Sequence, residues 1–202
     1  MTTFQVNEIC MLELARLWLR QHNFDNCEQQ CAALLRINVN HEECAMLLAD
    51  LNFLKQNHDA AAANLRKLLE QRPNNYLALS KLIRLLRSAG RLYDVPRFLK
   101  LAERANARAL SHPGLNYCKG LHCRYTNDVV EAVKFFNLAR RDGKWGILAL
   151  INMIELYLNP DNETQRVAAM RSIPCLCYLK CDHNSIYILN FFAGIIQVGQ
   201  QR

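Results

Sequence analysis

The stretch 42–75, EECAMLLADLNFLKQNHDAAAANLRKLLEQRPNN, constrains the fold more than any other part of the chain. With Glu42 as position 1, apolar or small residues fall at positions 4, 7, 8, 20, 24 and 27, namely Ala45, Leu48, Ala49, Ala61, Leu65 and Leu68. Pro73 at position 32 and Asn74-Asn75 then close the pattern. This spacing predicts two amphipathic helices joined by a tight turn and ended by a proline. A helical hairpin of this size cannot bury both faces alone, so it requires stacked neighbours.

The neighbours are present in register. One step of 34 residues back, from Glu8, the same positions hold Met11, Leu14, Ala15, Cys27, Cys31 and Leu34. One step forward, from Tyr76, they hold Leu79, Leu82, Ile83, Val95, Leu99 and Ala102, with Gly90 at position 15 in the expected turn. A fourth match starts at Pro113, three residues late, with Gly120, Ala132, Phe136 and Ala139 at positions 8, 20, 24 and 27. A half repeat from Ile147 supplies Leu150, Met153, Ile154 and Tyr157. The period and these positions resemble the tetratricopeptide repeat. The resemblance implies an all-α, right-handed superhelical solenoid of about four and a half helical hairpins over residues 1–163, with repeats from about 8, 42, 76, 113 and 147. Residues 164–202 keep none of these positions and read as a divergent C-terminal tail.

Local signals set the expected boundaries. Asn7 is the expected N-cap of the first helix and Asp25 that of the second. Asp94 is expected to cap the helix holding Pro96 in its first turn, and that helix to continue through ERANARALS until His112-Pro113 breaks it. His22, His41, His58 and His112 fall at turns or a helix end.

Composition bears on class. The chain of 202 residues is 51% hydrophobic, enough for an extended core, and no apolar run reaches the length that crosses a bilayer. The first residues, MTTFQVNEICMLEL, lack a basic segment and cleavage site, and the nine cysteines are an odd number, so reduced thiols in a cytoplasmic setting are expected. The net charge of +7 is uneven: residues 76–144 carry 14 Lys/Arg against 5 Asp/Glu. This is either a solvated helical surface or a face for an acidic partner.

Little chemistry is legible. Cys175, Cys177, Cys181 and His183 form a metal-like cluster, but all four lie within nine residues without the distant second pair that zinc sites use, so no metal is assigned. Cys27 and Cys31 read as small core residues. His122 and Cys123 are adjacent without an acidic orienter nearby in sequence. No phosphate-loop, dinucleotide, nucleophile-elbow or zinc-protease motif occurs, so neither catalytic residues nor a cofactor are assigned. The alternative to a protein-binding scaffold is a helical-repeat RNA-binding protein, disfavoured because few aromatics accompany the basic residues.

Longer strings narrow the reading. Residues 41–109 together with the motifs DVPRF, YCKGL and NMIELYLNPDNE resemble the tetratricopeptide repeat protein 21 family over about residues 1–164. That family supplies the large repeat subunit of intraflagellar transport complex A. The resemblance implies a non-enzymatic scaffold in retrograde ciliary transport and cilium assembly, with other subunits of that complex as partners, in the cytoplasm and the cilium, at its axoneme or basal body. Family members are much longer, and the resemblance stops after Asn162-Glu163-Thr164, which implies a short isoform or fragment with an unrelated tail. In the repeat it resembles, first-helix positions 2, 5, 9, 12 and 13 line the concave groove. Here they include Arg16, Arg20, Asp50, Phe53, Arg84, Arg87, Tyr117, Arg124 and Tyr125, a set expected to hold an acidic, partly apolar helix or extended segment.

Overall fold

The computed structural model describes residues 3–105 and 108–158. Among them are nine α-helices: α1 (Thr3–Arg20), α2 (Phe24–Ile37), α3 (Glu42–Leu54), α4 (His58–Gln71), α5 (Tyr76–Ser88), α6 (Val95–Arg104), α7 (Pro113–Tyr125), α8 (Val129–Ala139) and α9 (Gly146–Leu158). No strand occurs among the described residues, and none of their helices is long and apolar enough to cross a membrane. The chain divides into two compact units, Met1–Leu138 and Ala139–Arg202. The expected tail at 164–202 and its cysteine cluster lie outside the described residues.

In the first unit α1 pairs with α2 and α3 with α4, while α3, α5 and α7 follow one another as successive first helices, making an all-α repeat solenoid. The core is built where the period places it. Positions 8, 20 and 24 are buried in every repeat: Ala15, Cys27 and Cys31; Ala49, Ala61 and Leu65; Ile83, Val95 and Leu99; Gly120, Ala132 and Phe136. Small residues at 8 and 20 let paired helices approach closely, and the larger side chain at 24 fills the space between them. Leu14, at position 7 of the first repeat, is 39% exposed, because no hairpin stacks before α1.

The turns inside the hairpins share one construction. Position 15 is left-handed in all four repeats: His22 (φ 58°), Gln56 (63°), Gly90 (68°) and Asn127 (65°). The next residue donates its N–H back across the turn to position 11, Asn23 to Trp18 at 3.0 Å, and Asn57 to Asn52, Arg91 to Leu86 and Asp128 to Cys123 each at 2.8 Å. This closes the first helix as a Schellman motif. In three repeats the same residue then caps the second helix. Asn23, Asn57 and Asp128 each accept through Oδ1, at 3.3 Å, from the N–H of Asn26, Ala60 and Glu131 respectively.

These caps correct two expectations. Asn23, not Asp25, caps α2, and Asp25 lies in its first turn. α1 begins at Thr3, so Asn7 lies inside the helix. Repeat three shows what a missing cap does. Arg91 stands at the capping position and offers no side-chain acceptor; a 3-10 turn at Leu92–Asp94 follows, and α6 starts late with Pro96 in its first turn. Asp94 occupies the boundary but makes no cap, because its carboxylate accepts from Arg66 Nη2 at 2.9 Å. α6 also ends at Arg104 rather than running through to Ser111, and a 3-10 turn at Ala109–Ser111 precedes α7.

First helices start on position-34-type caps. His41 Nδ1 accepts from Cys44 N–H at 3.1 Å, Asn75 Oδ1 from Ala78 N–H at 3.0 Å, and His112 Nδ1 from Gly114 N–H at 3.0 Å. In the second unit Asp142 Oδ2 accepts from the N–H groups of Lys144 and Trp145, each at 2.9 Å, and opens α9. Of the half-repeat residues, Leu150 and Met153 of α9 are buried and Ile154 and Tyr157 half-buried, while Leu156, outside the expected positions, is buried as well.

Candidate partner-binding face

The first helices of the stack carry the candidate residues, and the structure sorts them by what they touch. Position 9 bridges neighbouring repeats. Arg16 Nη2 donates to Glu43 Oε2 of the next first helix at 2.7 Å, while its Nη1 donates to Glu13 Oε1 at 2.6 Å. Asp50 accepts both of its bonds from Lys81 Nζ, at 2.6 and 2.8 Å. Arg84 Nη2 donates to the Tyr117 hydroxyl at 2.7 Å. Arg16 and Asp50 therefore tie α1 to α3 and α3 to α5. Such half-exposed pairs contribute roughly 0.2–1 kcal/mol each. Their charge is already compensated, which removes them from the front rank of contacts for a partner.

Position 5 is turned from solvent in three repeats and half-buried at Met46 in the other, where the groove pattern expects exposure. Tyr117 is fully buried, and Leu12 and Ser80 are each 5% exposed. Tyr117 packs against Phe136, with ring centroids 5.9 Å apart, so it supports the face from beneath and presents no surface to a partner. Leu121 and Gly114 are buried too.

What remains exposed gathers at two places. At one end lie Arg20, with Phe53 (45% exposed) and Leu54 (46% exposed) at the end of α3. At the other, Arg87 sits over the Tyr125 ring, its guanidinium carbon 4.3 Å from the centroid, and Arg124 lies 6.0 Å from the same centroid. Arg84 and Arg87 are one helical turn apart on α5, both exposed, and neither has a carboxylate partner among the described residues. Each guanidinium is held by a tyrosine, Arg84 by a hydrogen bond to Tyr117 and Arg87 over the π-face of Tyr125. Sequence spacing named these residues. It missed Lys81, whose reach to Asp50 across repeats neutralises the centre of the face.

His122 and Cys123 are adjacent on α7, but burial holds the imidazole neutral and pushes the thiol pKa up, the reverse of nucleophile activation. Burial likewise pushes the Tyr76 hydroxyl up. Among the described residues no group of His, Cys, Asp and Glu could hold a metal ion.

Comparison with known proteins agrees with this architecture. Among solved structures, a tetratricopeptide repeat protein from Parabacteroides merdae superimposes with a TM-score of 0.64 at 14% identity, covering 97% of this chain and 73% of that one. Pseudomonas aeruginosa pilF gives 0.62 at 15% identity, covering 94% and 84%. At these identities the likeness shows the fold alone. In sequence, the chain is 64% identical over 154 residues to human tetratricopeptide repeat protein 21B and 48% identical over 153 residues to human tetratricopeptide repeat protein 21A. Each match covers 76% of this chain and only 12% of the relative's length. A family model described as the TT21 fifth ARM repeats domain matches residues 42–158. A match over more than half of the chain, on the helices whose packing is described above, shows that the chain belongs to the tetratricopeptide repeat protein 21 family.

Proposed function

We propose that this chain is a non-enzymatic protein–protein interaction scaffold that acts in intraflagellar transport complex A, in retrograde ciliary transport and cilium assembly. Its partners are then other subunits of that complex, and its place is the cytoplasm and the cilium, at the axoneme or basal body. Membership of the tetratricopeptide repeat protein 21 family supports the context. The observation that carries the mechanism is the pair Arg84 and Arg87, exposed, without a carboxylate, and fixed against Tyr117 and Tyr125.

An acidic, partly apolar helix or extended segment is the fitting ligand. Its carboxylates meet Arg84, Arg87 and Arg124, and its apolar side chains meet the Tyr125 ring. Arg20 and Phe53 extend the face at the other end, while Arg16 and Asp50 hold its repeats in register. Arginine and tyrosine are the types that dominate binding hot spots. Carboxylates held by a planar guanidinium fork give geometry as well as energy.

The test uses the full chain as bait against purified subunits of the transport complex, at low and moderate salt. The variant Arg84→Glu with Arg87→Glu should lose capture at both salts while keeping its helical circular dichroism. Undiminished capture by a folded variant would remove this face. Salt-dependent retention of RNA homopolymers in place of protein would favour the helical-repeat RNA-binding alternative.

A further inference from the structure

We infer that the second-helix side of the stack carries a separate docking strip, along α6, for an acidic and partly apolar protein segment. Arg97, Lys100, Leu101 and Arg104 stand at i, i+3, i+4 and i+7 on α6, so they share one face of that helix. With Phe98 of α6 and Glu70 of α4 they line an open groove of about 640 Å³.

Several cations of the stack are already paired. Lys55, Arg66, Arg72, Lys81, Arg91 and Lys119 each hold a carboxylate of another element. Arg97, Lys100 and Arg104 are exposed and hold none among the described residues; the Arg97 guanidinium lies 5.9 Å from the Phe98 ring. Three uncompensated positive charges thus lie within about 10 Å of helix. Like charges at this spacing weaken a helix slightly, and a bound anion relieves that repulsion.

Two neighbours select the class of anion. Leu101, 37% exposed, gives the strip an apolar element between the cations. Glu70 adds a negative charge to the groove wall. A uniform polyanion such as nucleic acid or an anionic lipid surface gains nothing from Leu101 and is repelled by Glu70. A protein segment that alternates carboxylates with apolar side chains, and carries one basic residue against Glu70, satisfies all of them. The openness of the groove suits a segment lying along α6 rather than an enclosed small molecule.

This strip is separate from the arginine–tyrosine face and is tested separately. The full chain is titrated against a fluorescein-labelled amphipathic peptide of Glu, Leu and Ala. Polyglutamate of equal charge, poly(U) and phosphatidylserine vesicles are run in parallel, and binding is read by fluorescence anisotropy or co-sedimentation. The Glu/Leu peptide should bind more tightly than the three uniform polyanions. Its Kd should weaken by about tenfold or more in Arg97→Glu with Lys100→Glu, and in the milder pair Lys100→Gln with Arg104→Gln. The same weakening should appear when the α6 substitutions are made in an Arg84→Glu, Arg87→Glu background, which silences the arginine–tyrosine face. Equal or tighter binding of polyglutamate, poly(U) or vesicles would overturn the proposal. So would a peptide Kd indifferent to both α6 variants while their circular dichroism stays native.

Discussion

A Cβ atom added to Gly120 would lie 2.6 Å from Phe136 Cε1, closer than any real Cβ contact. Two further ring atoms, Cδ1 and Cζ, would lie 2.7 and 3.0 Å away. Phe136 is fully buried and also packed on Tyr117, so the ring has no free space to move into. The two residues are positions 8 and 24 of one hairpin, and each has the size the other allows. Alanine at position 120 gains helix propensity of roughly 1 kcal/mol over glycine. The collision should outweigh that gain, leaving Gly120→Ala less stable by about 1–3 kcal/mol. Adding Phe136→Leu should recover part of the loss, giving a coupling of roughly 0.5–3 kcal/mol in a double-mutant cycle. Urea unfolding of the four proteins measures it, and additive costs would show that the contact does not set the spacing of α7 and α8.

The same logic applies at position 20. Ala61 is fully buried where α3 and α4 approach each other. Ala61→Trp should overpack this contact and lower stability by about 1–3 kcal/mol or more. Lys67, exposed on the same helix, should tolerate alanine at under about 0.5 kcal/mol. The urea midpoints of the two variants distinguish them, and equal small shifts would contradict the repeat register.

The hydrophobic ladder was legible because burial at positions 8, 20 and 24 follows from periodicity alone. The turns were less so. Position 15 is left-handed in every repeat, yet only Gly90 announces it, since His22, Gln56 and Asn127 reach the same conformation without a glycine. The dual role of Asn23, Asn57 and Asp128 as end of one helix and cap of the next was hidden for the same reason. At the candidate face, spacing named Arg84, Arg87 and Tyr125, and the structure sets Arg87 over the Tyr125 ring. The sequence could not show that Asp50 is taken by Lys81 of the next first helix, or that Tyr117 is buried against Phe136, because both depend on contacts between helices that spacing along the chain does not carry. The basic strip on α6 escaped notice because its charges are distinguished only by lacking partners, which no pattern of residue types reveals.

The left-handed turns give a prediction of opposite signs. A side chain at φ near +60° costs on the order of 1 kcal/mol that glycine does not. Gln56 is exposed, with φ at 63°. Gln56→Gly should therefore stabilise the chain, by less than about 1 kcal/mol because glycine also loosens the unfolded chain. Gly90→Ala, with open space around it but φ at 68°, should destabilise by about 1 kcal/mol. Thermal midpoints that moved in the same direction for both would show that position 15 is not under conformational strain.

The buried thiols predict how stability depends on pH. Cys27, Cys31, Cys44 and Cys118 are fully buried, whereas Cys10 is exposed. Burial pushes the Cys27 thiol from its usual 9.0 up to about 12. A hydrogen bond with Cys44 together with burial pushes Cys31 up, and burial pushes up Cys118, whose thiol donates to Tyr76 O at 3.3 Å. Unfolding exposes these groups, so above pH 9 the unfolded chain loses protons that the folded chain keeps. Stability is then complete below pH 9 and falls as pH rises toward 12, by at most about 1.4 kcal/mol per pH unit for each such thiol. Urea midpoints at pH 7.5, 9 and 10.5 should be level at first and then decline, and Cys27→Ala should make the decline shallower. Iodoacetamide labelling mapped by mass spectrometry gives an independent reading. At pH 8 Cys10 should label quickly, while Cys27, Cys31 and Cys118 should label only at the rate of unfolding, since a thiol that is both buried and protonated cannot attack; Cys44, whose pKa the hydrogen bond with Cys31 lowers, should be protected by burial alone. Rapid labelling of Cys31 or Cys44 in native buffer would show that the α2–α3 contact opens locally, and would count against the packing between the first two hairpins described here.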